Sequence, residues 1–107
     1  GPMNPALSDA VKTRVAALRA ADPSNTAAVP VDLVTASASG LDPHISLAAA
    51  YYQLNRVAQS RGLTEDQVKP VLEQHVDRSG WFTGVPMVNV MVLNLALDQQ
   101  GVSHAAR

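Results

Sequence analysis

The chain contains no cysteine. Disulfides, thiolate metal centres and cysteine nucleophiles are therefore excluded, and the absence is compatible with either redox compartment. Aromatic residues are scarce, at 4% of 107 residues, although hydrophobic residues reach 47%. The core must therefore rely on Ala, Val and Leu, which favours helices packed closely through small contact residues. Charge of either sign is sparse and balanced, with a net formal charge of -1 and no basic or acidic block. That balance removes the electrostatic footprint of a nucleic-acid binder and weakens a polybasic membrane contact. No apolar run approaches the roughly 18 residues that a bilayer span requires, and no signal peptide is visible.

What is there fits one domain able to bury a core of modest size. Gly1-Pro2, with Met3, reads as an expression scar left by a protease, so an excised domain is expected, spanning 4–100, with 101–107 as a flexible tail. Asn4-Pro5 reads as a cap and first helical position, and Leu7, Val11, Val15 and Leu18 follow at helical spacing to about Ala21. Asp22-Pro23-Ser24-Asn25 is turn chemistry. The β-branched stretch Val31 to Ala36 predicts a short strand, followed by a loop over 37–42. Ser46 is placed to cap a helix from Leu47 to Arg61 that buries Leu47, Ala50, Tyr51, Leu54, Val57 and Ala58, with Gly62 closing it. Thr64 and Gln67 form a capping-box pattern, but Pro70 argues for a helix that begins nearer Lys69. Gly80 and Gly84 bracket an aromatic-tipped turn at Trp81-Phe82-Thr83. A strand over 86–90 and a helix to Gln100 complete a mixed α/β (α+β) fold, with about four helices and a sheet of two or three strands.

The stretch from Val34 to Ser46, VTASASGLDPHIS, is the obvious place to look for chemistry. It fails as a phosphate loop, because it has one glycine, Gly40, and no lysine. It lacks the G-x-S-x-G elbow of a hydrolase, and Asp42, His44 and its serines lie too close in sequence to define a triad. The favoured reading is structural: Asp42 or Ser46 caps a helix, Pro43 rigidifies its start and Gly40 supplies a turn. His44, His75 and His104 are too widely spaced for a metal motif, and no metal site is expected. Gln53 and Arg56 share a helix face and offer an amide and a cation to a ligand, against the plainer reading of a solvated face. Trp81 and Phe82 are candidates for partner contact, against the commoner use of such residues in a core.

Several segments together carry a family resemblance: Asn4 to Leu7, Arg14 to Ala21, Val29 to Asp42 (VPVDLVTASASGLD), Gln53, Arg56 to Ala58, Val88 to Val90 and Leu93 to Asp98. In that order they resemble the C subunit of the bacterial Kdp potassium-transporting ATPase, the KdpC family. The resemblance implies a non-catalytic accessory subunit of a high-affinity K⁺ pump, with K⁺ transported by the complex. It implies two partners, a channel-like K⁺-binding subunit and a P-type ATPase subunit that hydrolyses ATP. It also implies an N-terminal transmembrane helix, absent from the chain, which places this domain on the extracytoplasmic side of the cytoplasmic membrane. Two roles follow for the family: stabilising assembly and gating the outer K⁺ entrance, or assisting ATP binding. The second connects the VTASASG region and Gln53 with nucleotide; with Arg56 as the nearby cation, the candidate ligand contacts are Ser37, Ser39, Gly40, Gln53 and Arg56. For the first, the residues of the loop and of the aromatic turn are the expected partner contacts: Asp42, His44, Ser46, Trp81 and Phe82. The first is favoured, because no basic group accompanies the hydroxyls to hold a triphosphate.

Overall fold

The computed structural model describes residues 5–34, 43–81 and 83–105. Among them are six helices and a three-stranded sheet, a mixed α+β architecture. The helices are α1 (Pro5–Ala21), α2 (Val31–Val34), α3 (Leu47–Tyr52), α4 (Leu54–Ser60), α5 (Glu65–Gln74) and α6 (Val90–Ala105). The strands are β1 (His44–Ser46), β2 (Val76–Asp77) and β3 (Met87–Asn89), ordered β1-β3-β2 and antiparallel throughout. Val88 on the central strand pairs with Ile45 on one side and Val76 on the other, and it is fully buried. Backbone bonds from Leu47 N to Pro86 O and from Val90 N to Pro43 O extend the β1–β3 pairing at both ends. That pairing fixes where α3 and α6 start.

The core forms where α3, α4, α5 and α6 meet β3: Ala50, Leu54, Ala58, Leu63, Val68, Leu72, Val88 and Leu97. That cluster is aliphatic, with Tyr51 packed half-buried against it and Tyr52 buried outside it. Small Ala50 and Ala58 let the helices approach closely, and Leu72 and Leu97 fill the space between them.

Three helix boundaries follow from local chemistry. Ser46 Oγ accepts from Ala49 N at 3.0 Å and starts α3. Thr64 and Gln67 form a reciprocal capping box at the start of α5. Gly62, at φ +66°, ends α4: its N–H bonds Gln59 O, and Leu63 N–H reaches back to Ala58 O at 2.9 Å. That pair of bonds is a Schellman closure, and it delivers Leu63 into the core.

Four expectations are corrected. Val31–Val34 is one helical turn and not a strand. Val31 is 73% exposed, so its branched side chain packs on no pleat. Asp32 instead turns toward β1, and the pull of tertiary bonding overrides local β propensity. Thr35 and Ala36 lie outside the described residues. The single helix expected over 47–61 is two, α3 and α4, divided at Gln53. There the backbone N–H is shared between Ala49 O and Ala50 O, and the side-chain amide also donates to Ala49 O at 3.3 Å. Such competition for one carbonyl interrupts the regular ladder. Third, α5 begins at Glu65 and carries Pro70 inside it. The carbonyl that Pro70 leaves without a donor belongs to Asp66 on the exposed first turn, where water can serve it. Finally, α6 continues past Gln100 to Ala105.

Candidate functional site

Gln53 stands at the break between α3 and α4, and Arg56 lies one turn further along. The Arg56 guanidinium donates to Gln53 Oε1 at 2.8 Å. With the Gln53 amide held on Ala49 O, both ends of the glutamine are engaged. The pair borders a cleft of about 490 Å³. Its wall is largely aliphatic, with Leu33, Ile45, Val57 and Leu93 among the lining residues. Ser60, Arg61 and Asn94 add polar groups. Arg61 is anchored by Asp98 at 2.6 Å and by Asn94 Oδ1 at 3.2 Å, which ties the end of α4 to α6. The two arginines are thus already committed to internal partners. A greasy cleft with occupied cations suits an apolar or amphipathic occupant better than a bare polyanion.

The other candidates fall elsewhere. Ser46, half-buried at the end of β1, caps α3 and also donates its hydroxyl to Asp32 Oδ1 at 2.8 Å. Its backbone N–H donates to Asp32 Oδ2 at 2.9 Å. The hydroxyl is committed to structure. His44 is exposed on β1, opposite Asn89. Across the sheet, Asp77 is held below the usual carboxylate range, first by its side-chain hydrogen bond with Ser79, then by the Ser79 backbone N–H at 2.9 Å, and less by His44. His75 closes α5, with Nδ1 2.8 Å from Val71 O, a helix-end role. His104 falls in the last turn of α6. Trp81 stands 80% exposed in the turn between Gly80 and Gly84, which is closed by Gly84 N donating to Gly80 O at 2.8 Å. Both glycines have positive φ, so the turn is built for residues without a Cβ. Ser37, Ser39, Gly40, Asp42 and Phe82 lie outside the described residues. Among the described residues no cluster of three or more His, Cys, Asp or Glu could hold a metal.

Residues 1–99 match the family described as KdpC, the c chain of the K⁺-transporting ATPase. The chain is 63% identical over 108 aligned residues to the potassium-transporting ATPase KdpC subunit of Variovorax paradoxus, covering 100% of this chain and 54% of that protein. It is 61% identical to the subunit of the same name from Herpetosiphon aurantiacus, over 92% of this chain and 52% of that protein. The subunit from Methylibium petroleiphilum is 62% identical over a similar span. The chain belongs to the KdpC family. It spans about half the length of the curated relatives it matches. Among the described residues no helix is long and apolar enough to cross a membrane.

The spacing of Gln53 and Arg56 marks them as a pair on one helix face, and the cleft beside them takes shape only in the fold. Asp32 lies in the stretch expected as a strand, but it fixes Ser46 from the α2 turn. A carboxylate directly after Pro30-Val31 was the available signal, since acidic residues favour a helix's first turn. Arg61, Asn94 and Asp98 form a bridge across 33 and 37 residues of sequence, and no local pattern marks it. The residues Asp22 to Asn25 carry turn chemistry in the sequence. In this KdpC chain the turn is also an anchor, because Asn25 Nδ2 donates to Tyr52 O at 2.9 Å and Asn55 Nδ2 donates to Asp22 Oδ1 at 3.1 Å.

Proposed function

We propose that this chain is a non-catalytic part of an ATP-driven potassium import pump that works by protein contact, stabilising assembly of the complex. The observation that carries this reading is apolar surface left in the open. Trp81 is 80% exposed, Met91 66% and Leu95 63%, in a chain with a small aliphatic core. Exposed large apolar groups on a well-capped scaffold mark contact surfaces. On this reading its partners are a K⁺-binding, channel-like subunit and a P-type ATPase subunit. With an N-terminal membrane anchor in the full-length subunit, the domain would lie on the extracytoplasmic side, near the outer K⁺ entrance, and Trp81 and Phe82 would reach a partner there. His44, exposed on β1, belongs to the same contact reading, as does Asp42. The test is co-purification of the assembled pump with the full-length subunit carrying Trp81→Ala or Leu95→Asp. Loss of the complex with the subunit still folded supports contact; intact assembly from both variants contradicts it.

A second reading rests on the Gln53 amide and Arg56 guanidinium that border the cleft, and requires Arg56 to exchange its bond to Gln53 for a phosphate: an accessory module that assists nucleotide binding by the catalytic subunit. Calorimetric titration of the chain with ATP decides it. Saturable heat that disappears in Arg56→Ala supports the module, and no heat at millimolar ATP removes it.

A further inference from the structure

The cleft beside α4 combines an aliphatic wall with one charge that has no counter-charge among the described residues. Its volume, about 490 Å³, lies within the roughly 300–1,000 Å³ of small-molecule sites. Leu33 of α2, Ile45 of β1, Val57 of α4 and Leu93 of α6 contribute to the wall from four different elements. The described lining carries two cations, Arg56 and Arg61, and no carboxylate. The two cations are not equivalent. Arg61 donates to Asp98 at 2.6 Å, so its charge is balanced. Arg56 is half-buried and donates to Gln53 Oε1 at 2.8 Å, a neutral acceptor. No carboxylate pairs with Arg56 among the described residues. A guanidinium has five N–H donors, and the bond to Gln53 uses one of them. The cleft thus offers one net positive charge beside apolar surface.

We propose that this cleft binds a free alkyl carboxylate, a monoanion of the fatty-acid type, with its head on Arg56 and its tail along the aliphatic wall. The planar guanidinium fork matches a carboxylate and can hold it through two parallel N–H···O bonds. One charge on the ligand balances the one left on the protein. A nucleotide would bring several negative charges and a polar sugar to a single uncompensated cation. An alkyl ammonium would meet Arg56 with like charge. A neutral alkane would leave the Arg56 charge without a partner. The inference stands on the Arg56 charge and the aliphatic wall. It does not rest on the pump assignment, and it competes with the nucleotide reading of the same cleft.

The test is heteronuclear NMR of the chain titrated with sodium octanoate below its micelle concentration, reading the Ile45, Val57 and Leu93 methyls and the Arg56 Nε–H. The proposal predicts saturable shifts of these groups. Affinity should rise about fourfold per methylene from butanoate to octanoate, the fold-change of one buried CH₂. 1-Octanol should bind about tenfold or more weakly, the scale of one lost contact to a charged group, and octylammonium should not saturate the shifts. Arg56→Gln should bring octanoate down to the level of 1-octanol. Leu93→Trp puts a larger side chain into the wall and should abolish the response to both; it carries the test if Arg56→Gln does not fold. Equal binding of octanoate and octylammonium, unchanged titration in the variants, or no saturation in the parent chain would overturn the proposal. So would ATP saturating the same groups more tightly than octanoate, which would support the nucleotide reading instead.

Discussion

At the scale of single residues, Asp32 has the most defined task. Its two carboxylate oxygens take the N–H and hydroxyl of Ser46, while the same hydroxyl caps α3. One side chain therefore ties the α2 turn, the end of β1 and the start of α3 together. Asp32→Ala should lower stability by about 2–3 kcal/mol in urea unfolding, since bonds to a charged group are lost and a half-buried N–H is left without its acceptor. Ser46→Ala should cost about 1 kcal/mol through the cap alone, and somewhat more because Asp32 loses a donor too. The double variant should fall short of the sum, because the two residues share one network. Asp77 gives a pH signature. Its folded pKa lies below its unfolded value, so the unfolded chain binds more protons in the interval between them. The stabilisation is full above the unfolded pKa, near 4, and is lost as pH falls through the folded value. Urea midpoints measured from pH 6 down to pH 2 should therefore fall more steeply for the parent than for Asp77→Asn, and parallel curves would deny Asp77 that role.

At the scale of elements, two glycines should respond with opposite sign. Gly62 has φ +66° and open space where a Cβ would stand, so Gly62→Ala suffers the dihedral cost alone, about 1–2 kcal/mol. Gly101 lies within α6 at ordinary helical φ, again with open space, so Gly101→Ala should stabilise by up to about 1 kcal/mol. Thermal unfolding of the pair checks both, and two shifts of the same sign would contradict the helical assignment at one of the two sites. These elements also show where sequence reading works. Pro5, Ser46, Thr64-Gln67 and Gly62 carry their structural meaning in residues within about one turn, so the helix from Pro5, the start of α3, α5's box and α4's end were legible. The interruption at Gln53 was not, because it depends on how one amide shares the Ala49 carbonyl. The α2 turn was not, because Asp32 answers to Ser46, 14 residues away. The candidate site divided in the same way. Gln53 and Arg56 were legible as a pair three residues apart on one helix face, whereas Arg61, Asn94 and Asp98 meet only once α4 and α6 are packed together.

At the scale of the whole molecule, a core of Ala, Val and Leu around a short sheet carries apolar groups that it does not bury. They occur at the tip of the β2–β3 connection, as Trp81 and Val85, and along α6, as Met91, Val92 and Leu95. A helix apolar on its outer as well as its inner face is usually covered. Within a potassium pump the cover would be another part of the assembly, which is the central claim for this chain. Trp81→Ala should accordingly leave the isolated chain's unfolding free energy within about 0.5 kcal/mol, as for most exposed positions. The most direct measurement is site-specific photo-crosslinking within the assembled pump, with the reactive group placed at Trp81 and at Leu95. The account predicts crosslinks from at least one of these positions to the K⁺-binding subunit. Crosslinks only to the nucleotide-handling domains of the ATPase subunit, or none from either position in a fully assembled pump, would contradict it.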